Sequence, residues 1–171
     1  MITLSVDLCN PISQKNYDDI VFSIPYYKLK CTCGLSGSLI GHGSYFRSIK
    51  TGDAKITLKI QRVRCSCDKT HALLLSTMVP HAQIPLPDQH AIIECSNDDE
   101  IRAFLEQNPI IDENNAKSIR RRHRLHWEQR LLAERIPLSP VVTLVEACFS
   151  SYHRAFMQIK ATPNILFTKP T

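Results

Sequence analysis

Apolar positions follow two different periods along this chain, and the change comes near its middle. At the start, Ile2, Leu4, Val6 and Leu8 alternate with polar residues as in a strand, until Asn10-Pro11 breaks the pattern. Residues 28–79 are strand-like. Two extended runs, 44–50 and 55–64, flank Thr51-Gly52-Asp53-Ala54, which has the composition of a hairpin turn. Ile56, Leu58 and Ile60 fall on one face of the second run, with Lys55, Thr57 and Lys59 on the other. Val63 is out of that register, which predicts a bulge ahead of Cys65.

Past Pro80, Pro85 and Pro87 the period becomes helical. Asp88 predicts the cap of a short helix through residue 94. Ser96 or Asn97 then caps a helix whose first turn carries Asp98, Asp99 and Glu100 and which ends before Pro109. Asp112 opens a long helix expected to reach about residue 135. Ser139-Pro140 predicts one more helix, with Val141, Leu144, Val145, Cys148, Tyr152 and Phe156 along a buried face. An extended tail is expected from Thr162. The fold class is α+β: a β domain over 1–80 and a helical, helix-turn-helix-like domain over 81–171.

Charge sharpens this division. The net charge of +5 conceals a segregation, since residues 28–79 hold nine Lys or Arg against Asp53 and Asp68. Residues 114–135 hold seven against Glu128 and Glu134, while 80–113 hold eight acids against Arg102. Two basic blocks around an acidic one predict a polyanionic partner touched at two places; chance clustering on solvated helices is the plainer alternative. No apolar run reaches eighteen residues and no secretory signal is visible, so a cytoplasmic protein is expected.

In that compartment seven cysteines are thiols or metal ligands. Cys9, Cys95 and Cys148 stand alone and are expected to pack as small apolar groups. Cys31-Thr32-Cys33 and Cys65-Ser66-Cys67 are close pairs, separated by enough chain for two strands and a turn. Closing that hairpin brings four thiolates together, the donor set of one structural Zn2+. Such a region has little core of its own, so the metal would supply much of its folding energy. Each pair has one intervening residue where ribbon knuckles usually have two. A tighter loop is needed, and His42 or His71 stays open as a replacement ligand. Asp68 is the one carboxylate near the cysteines, and the turn explains it. The site therefore reads as structural and the protein as no enzyme.

The second basic block lies on the helix after Asp112. Residues 97–135 fit a helix-turn-helix pair, with Ile101, Phe104 and Leu105 packing the first helix. At 100° per residue, Ala116, Ile119, His123, Trp127 and Leu131 share one side, and Arg121 and Arg122 point away from it. Arg pairs with guanine and Asn with adenine in the major groove, while Lys and Arg grip phosphates. The expected DNA-contacting residues are Asn115, Lys117, Arg121, Arg122 and Arg124, with Lys59, Arg62 and Arg64 as auxiliary phosphate contacts. The competing reading is a solvated helix whose arginines pair with the acidic block. Tyr45 and Phe46 bring aromatic character to the basic hairpin, where one aromatic more often completes a small core than stacks a base.

Several strings resemble a known module. Cys31-Thr32-Cys33-Gly34, Gly41-His42-Gly43-Ser44-Tyr45-Phe46-Arg47, Ile60-Gln61-Arg62-Val63-Arg64-Cys65 and Lys69-Thr70-His71-Ala72-Leu73-Leu74 are similar to the amino-terminal zinc ribbon of bacterial insertion-sequence transposases. In those proteins the ribbon precedes a helix-turn-helix and both serve binding of the element's DNA ends. Trp127-Glu128-Gln129-Arg130-Leu131, Pro137-Leu138-Ser139-Pro140 and Phe156-Met157-Gln158-Ile159-Lys160 resemble, more closely, a family of uncharacterised transposon-associated bacterial proteins. The resemblance implies a DNA-binding accessory or regulatory factor of a mobile element, carrying one zinc, with a second protein of the same element as a possible partner. The chain departs from the transposases in that no nuclease domain is expected. An RNase H-like acidic triad needs a mixed sheet after residue 97, where the pattern predicts helices. The alternative is a zinc-ribbon module that docks other proteins.

Overall fold

A computed structural model of the chain describes residues 1–4, 12–133 and 143–158. The readings at Val6, Leu8, Cys9, Asn10-Pro11, Ser139-Pro140, Val141 and the tail lie outside the described residues, as do the side chains of Tyr152 and Phe156. The architecture is mixed α and β. Strands β1 (Ile2–Leu4), β2 (Leu39–Thr51), β3 (Ala54–Cys65) and β4 (Thr70–Leu75) form one sheet in the order β1-β4-β3-β2.

The expected hairpin is β2–β3, which turns at Gly52-Asp53 between the paired residues Thr51 and Ala54. Ile56 is half-buried and Leu58 and Ile60 are buried, while Lys55, Thr57 and Lys59 are exposed, as the alternation predicts. The bulge lies across the ladder from its predicted place. Gly41 faces Val63 and Ser44 faces Gln61, so His42 and Gly43 of β2 together oppose Arg62. The period of one strand shows that register is lost, but not which of two partners carries the extra residue.

β3 and β4 pair only from Arg62↔Ala72 to Arg64↔Thr70. Beyond that β4 pairs with β1, which runs parallel to it from Ile2↔Leu73 to Leu4↔Leu75. Helix α1 (Gln14–Ser23) caps the place where the two ladders part. The fully buried Tyr17 hydroxyl donates to the Leu73 carbonyl at 2.9 Å and accepts from the Gln61 N–H at 2.8 Å. The Gln14 side chain accepts from the Lys59 N–H at 2.7 Å. Two side chains thus take up backbone groups left by the end of the ladder. Tyr17→Phe should leave a buried donor and acceptor unmatched and cost about 1–3 kcal/mol, read by denaturant unfolding. A cost within error of zero would mean that water replaces the hydroxyl.

This first helix is absent from the alternation of the opening residues, yet its signals are local. Ser13 caps it, accepting from the Asn16 N–H, and Tyr17, Ile20, Val21 and Ile24 follow at helical spacing. Tyr17 and Val21 join Ile2, Leu4, Leu58, Ile60, Leu73 and Leu75 in the sheet's core. That core is larger than a fifty-residue ribbon would own, because residues from the chain start add to it.

Helices follow. α2 (Leu86–Glu94) begins three residues earlier than a cap at Asp88 predicts, with Pro85 at the cap position and Asp88 in the first turn. α3 (Asp98–Gln107) is capped by Asn97, which accepts from the Glu100 N–H, while Glu100 accepts from the Ser96 N–H. α4 (Glu113–Arg122) is capped by Asp112, accepting from the Asn115 N–H. The long helix expected here is interrupted. A π-helical turn spans His123–Glu128 before α5 (Gln129–Ala133). α6 (Leu144–Gln158) opens with Thr143 and Glu146 bonded reciprocally, each side chain accepting from the other's N–H.

Two further apolar clusters serve these helices. Ile84, Ile92, Ile111, Ala116 and Ile119 join α2, α3 and α4. Val79, Trp127, Leu131, Cys148 and Phe149 join the π turn, α5 and α6. Polar ties run from β2 to this part of the chain. Arg47 donates to the carbonyls of Val79 and Ala82, and Lys50 donates to Asn115 Oδ1 at 2.8 Å with Asp112 at 3.7 Å.

Candidate metal centre and basic helix

The two cysteine pairs occupy the same local structure. In the first, the Gly34 N–H donates to the Cys31 carbonyl and the Cys31 N–H to the Leu35 carbonyl; in the second, Asp68 N–H to Cys65 and Cys65 N–H to Lys69 do the same. Each is a three-residue hairpin loop whose last residue is left-handed, Gly34 at φ +92° and Asp68 at φ +68°. Glycine adopts that conformation without strain, and aspartate is among the few other residues that tolerate it. Asp68 is held further by Arg64, whose guanidinium lies 2.7 Å from its carboxylate. One intervening residue therefore suffices, because a three-residue loop replaces the longer knuckle.

Strand pairing brings the two loops face to face. The four Sγ atoms of Cys31, Cys33, Cys65 and Cys67 all lie within 4.8 Å of one another. Cys31 and Cys67 are 3.7 Å apart, and Cys33 and Cys65 are 3.8 Å apart. A tetrahedral ion bonded to sulfur at about 2.3 Å has S···S edges of about 3.8 Å, which these two pairs match, so the four sulfurs could hold a metal ion.

Backbone amides favour thiolates here. The N–H groups of Cys33, Leu35, Cys67 and Lys69 point at the sulfurs of Cys31, Cys33, Cys65 and Cys67, each two residues back. The Cys67 N–H and the Ser38 hydroxyl, 3.1 Å away, pull the Cys65 thiol down to about 6. The Leu35 N–H lowers Cys33. Burial pushes Cys31 up to about 12. Cys67 is raised despite the Lys69 N–H, by burial and by the hydrogen bonds it shares with Cys65 and Cys33. Four sulfurs so close divide into two that ionise readily and two that do not, the pattern that a bound cation would level.

His71 touches the cluster from outside it. Its Nε2 is 3.1 Å from Cys31 Sγ, and its Nδ1 is 2.9 Å from the Met1 amino group. Burial, the amino group and Lys69 lower its pKa to about 4, so the ring is neutral at pH 7. It suits an outer partner that orients Cys31. His42 lies exposed in the β2 bulge. Ser38 had no signal in the sequence, since only the pairing of Leu39 with Cys65 carries it to the sulfur.

The basic helix has a buried and an open side. Ala116, Ile119, His123, Trp127 and Leu131 are all buried, the side that spacing predicts. Asn114, Lys117, Ser118, Arg121 and Arg124 are exposed. Lys117 pairs with Glu113 at 2.9 Å, one turn away. Asn115 is half-buried and accepts from Lys50, which takes it from the exposed stripe. Arg122 does not point away: its guanidinium lies 5.8 Å from the centre of the Trp127 ring. The cause is the π turn, whose i→i+5 bonding brings residues five apart onto one side. On the hairpin Lys59 is exposed, Arg62 is half-buried and Arg64 is tied to Asp68. The acids of 80–113 neutralise only part of the block, since no ion pair reaches Arg120, Arg121 or Arg124 among the described residues.

No helix among the described residues is long and apolar enough to cross a membrane. No curated protein and no solved structure matches the chain. The matching family is defined by a domain rather than an activity, and the match runs from the residue before the first cysteine loop to the basic end of α4. With residues 30–121 matched, more than half of its length, the chain belongs to the family described as a domain of unknown function (DUF6431).

Proposed function

We propose that this protein binds double-stranded DNA as an accessory or regulatory factor of a mobile genetic element, holding one structural zinc and catalysing no reaction. The observation that carries the reading is the exposed stripe Asn114, Lys117, Ser118, Arg121 and Arg124, set opposite a fully packed side. Base-edge donors and acceptors alternate there with phosphate-binding cations, which is the chemistry of a major-groove reader. Zinc suits four thiolates at tetrahedral spacing; bound, it would offset their charge and cross-link the two loops. Lys50 joins the sheet that carries the cluster to Asp112 and Asn115 at the start of α4. Arg121 and Arg124 remain the strongest contact candidates and Lys117 the next. Lys59, Arg62 and Arg64 keep an auxiliary role, and Asn115 and Arg122 support the helix more than they reach outward. The transposon connection rests on the resemblance of the cysteine-bearing strings to insertion-sequence ribbons, and a cytoplasmic location goes with it.

The test is anisotropy of a labelled duplex across a salt series. Arg121→Glu should weaken binding by about tenfold or more and reduce the salt slope by about 1–2, the signature of lost phosphate contact. Unchanged affinity and slope would remove α4 from the interface.

A second reading has its own observation. Ile40 and Phe46 are 67% and 75% exposed on β2, the edge strand of the sheet. Exposed apolar groups on a sheet edge suit a protein partner, here one encoded by the same element. Protein that retains its metal but binds no duplex would favour this docking role.

A further inference from the structure

Between α2 and the end of α4 lies a groove of about 440 Å³, lined by Ile93, Lys117, Arg120, Arg121, His123, Arg124 and Glu128. Its charge is unusually one-sided, with four permanent cations facing one carboxylate. Those cations are helical neighbours. Lys117 and Arg121, and Arg120 and Arg124, are four residues apart, a spacing at which like charges repel. Among the described residues only Lys117 has an acidic ion-pair partner, Glu113. His123, Arg124 and Glu128 all come from the π turn, so the wider helical turn shapes one wall. π turns occur often at functional sites. His123 is 6% exposed, and its Nε2 is buried with no hydrogen-bond partner among the described residues. A groove of this size exceeds what a single phosphate fills, and guanidinium forks match phosphate oxygens in pairs.

We infer that this groove is a binding site for a run of phosphate groups, with Arg120 and Arg124 as its principal anchors. Arg120 lies outside the stripe assigned to DNA reading, while Lys117, Arg121 and Arg124 belong to both, so the groove extends that surface. The inference deepens the DNA-binding reading and rests on it for the natural source of the phosphates, the nucleic-acid backbone. A free oligophosphate offers the same chemistry and is the second source to distinguish.

The experiment is calorimetric titration of the full chain, metal content verified, with inorganic tripolyphosphate at low salt. About one tripolyphosphate per chain is expected. Arg120→Gln with Arg124→Gln should weaken it at least tenfold, while Lys28→Gln, an exposed lysine elsewhere, should change it less than twofold. Circular dichroism of each variant checks that it is folded. No binding, or equal weakening by the Lys28 variant, would overturn the site and leave diffuse electrostatics. Displacement of a labelled duplex by tripolyphosphate assigns the groove to the nucleic-acid backbone. Tripolyphosphate binding by protein with no duplex affinity would keep the groove, assign it to a free oligophosphate and sink the DNA reading. Duplex binding that tripolyphosphate neither joins nor displaces would sink the groove and spare that reading.

Discussion

Replacing Cys65 with Ser is expected to abolish metal binding and lower the melting temperature by about 10–20 °C. Structural zinc contributes about 10–16 kcal/mol to the folding of peptides that have no other core. This chain has one, in which Tyr17, Ile60, Leu73 and many other apolar residues are buried together with Cys31 and Cys65. A loss of about 5 kcal/mol is the fitting expectation, and each kcal/mol moves the melting temperature by roughly 2–4 °C in a chain of this length. The loss should be local at first. Lys30–Ser36 and the end of β3–β4 hold the loops by few backbone bonds, so their amides should exchange fastest in the variant. A strong chelator acting on the unsubstituted protein should reproduce the shift. Cys95→Ser, at a thiol bonded to the Ala91 carbonyl far from the cluster in sequence, should leave metal content unchanged. Equal metal content and melting temperature in the Cys65 variant would show that the four sulfurs hold no ion.

The second large effect is expected at Trp127, where substitution by Ala should cost about 3–5 kcal/mol. The indole is 4% exposed and meets the Phe149 ring edge-on, with centroids 4.8 Å apart at 78°. It joins the π turn to α6, with Leu131 and Cys148 completing the cluster. Trp127→Phe keeps part of that contact and should cost less than half as much. Urea unfolding followed by circular dichroism is the suitable measurement, because Trp127 is the chain's one tryptophan and the variants lose its fluorescence. A cost below about 1 kcal/mol for the Ala variant would mean that α6 contributes little to stability here. The same variant tests the π turn: if Trp127 holds it, Arg122 is released and the register of Arg124 changes with it.

Much of this arrangement was legible in order along the chain. The turn at Gly52-Asp53 and the caps at Asn97 and Asp112 depend on neighbours within a few residues, and there local chemistry and structure agree. The buried side of α4 was legible too, since helical spacing is set by backbone geometry and continues through Trp127 and Leu131 despite the π turn. Caps drawn from single residues were less secure. Asp88 resembles a cap, but Pro87 already fits inside the first turn, and the helix starts at Leu86. Helix α1 carried an adequate local signal in Ser13, Tyr17 and Val21, overshadowed by the strand-like alternation ahead of it.

For the candidate site, spacing alone was enough to pair Cys31 with Cys33 and Cys65 with Cys67, and composition was enough to mark 114–124 as the basic helix. Both are properties of residues close in sequence, where chain connectivity limits what can happen. Tertiary structure decided the rest. It set the sulfurs of Cys31 and Cys67 3.7 Å apart and brought Ser38 and His71 against the cluster. It moved the bulge to β2, placed the Tyr17 hydroxyl between parting strands, and turned Arg122 onto Trp127. Each of these depends on which distant backbone groups remain unpaired and which surfaces must be covered. Those quantities exist only once the chain has closed on itself.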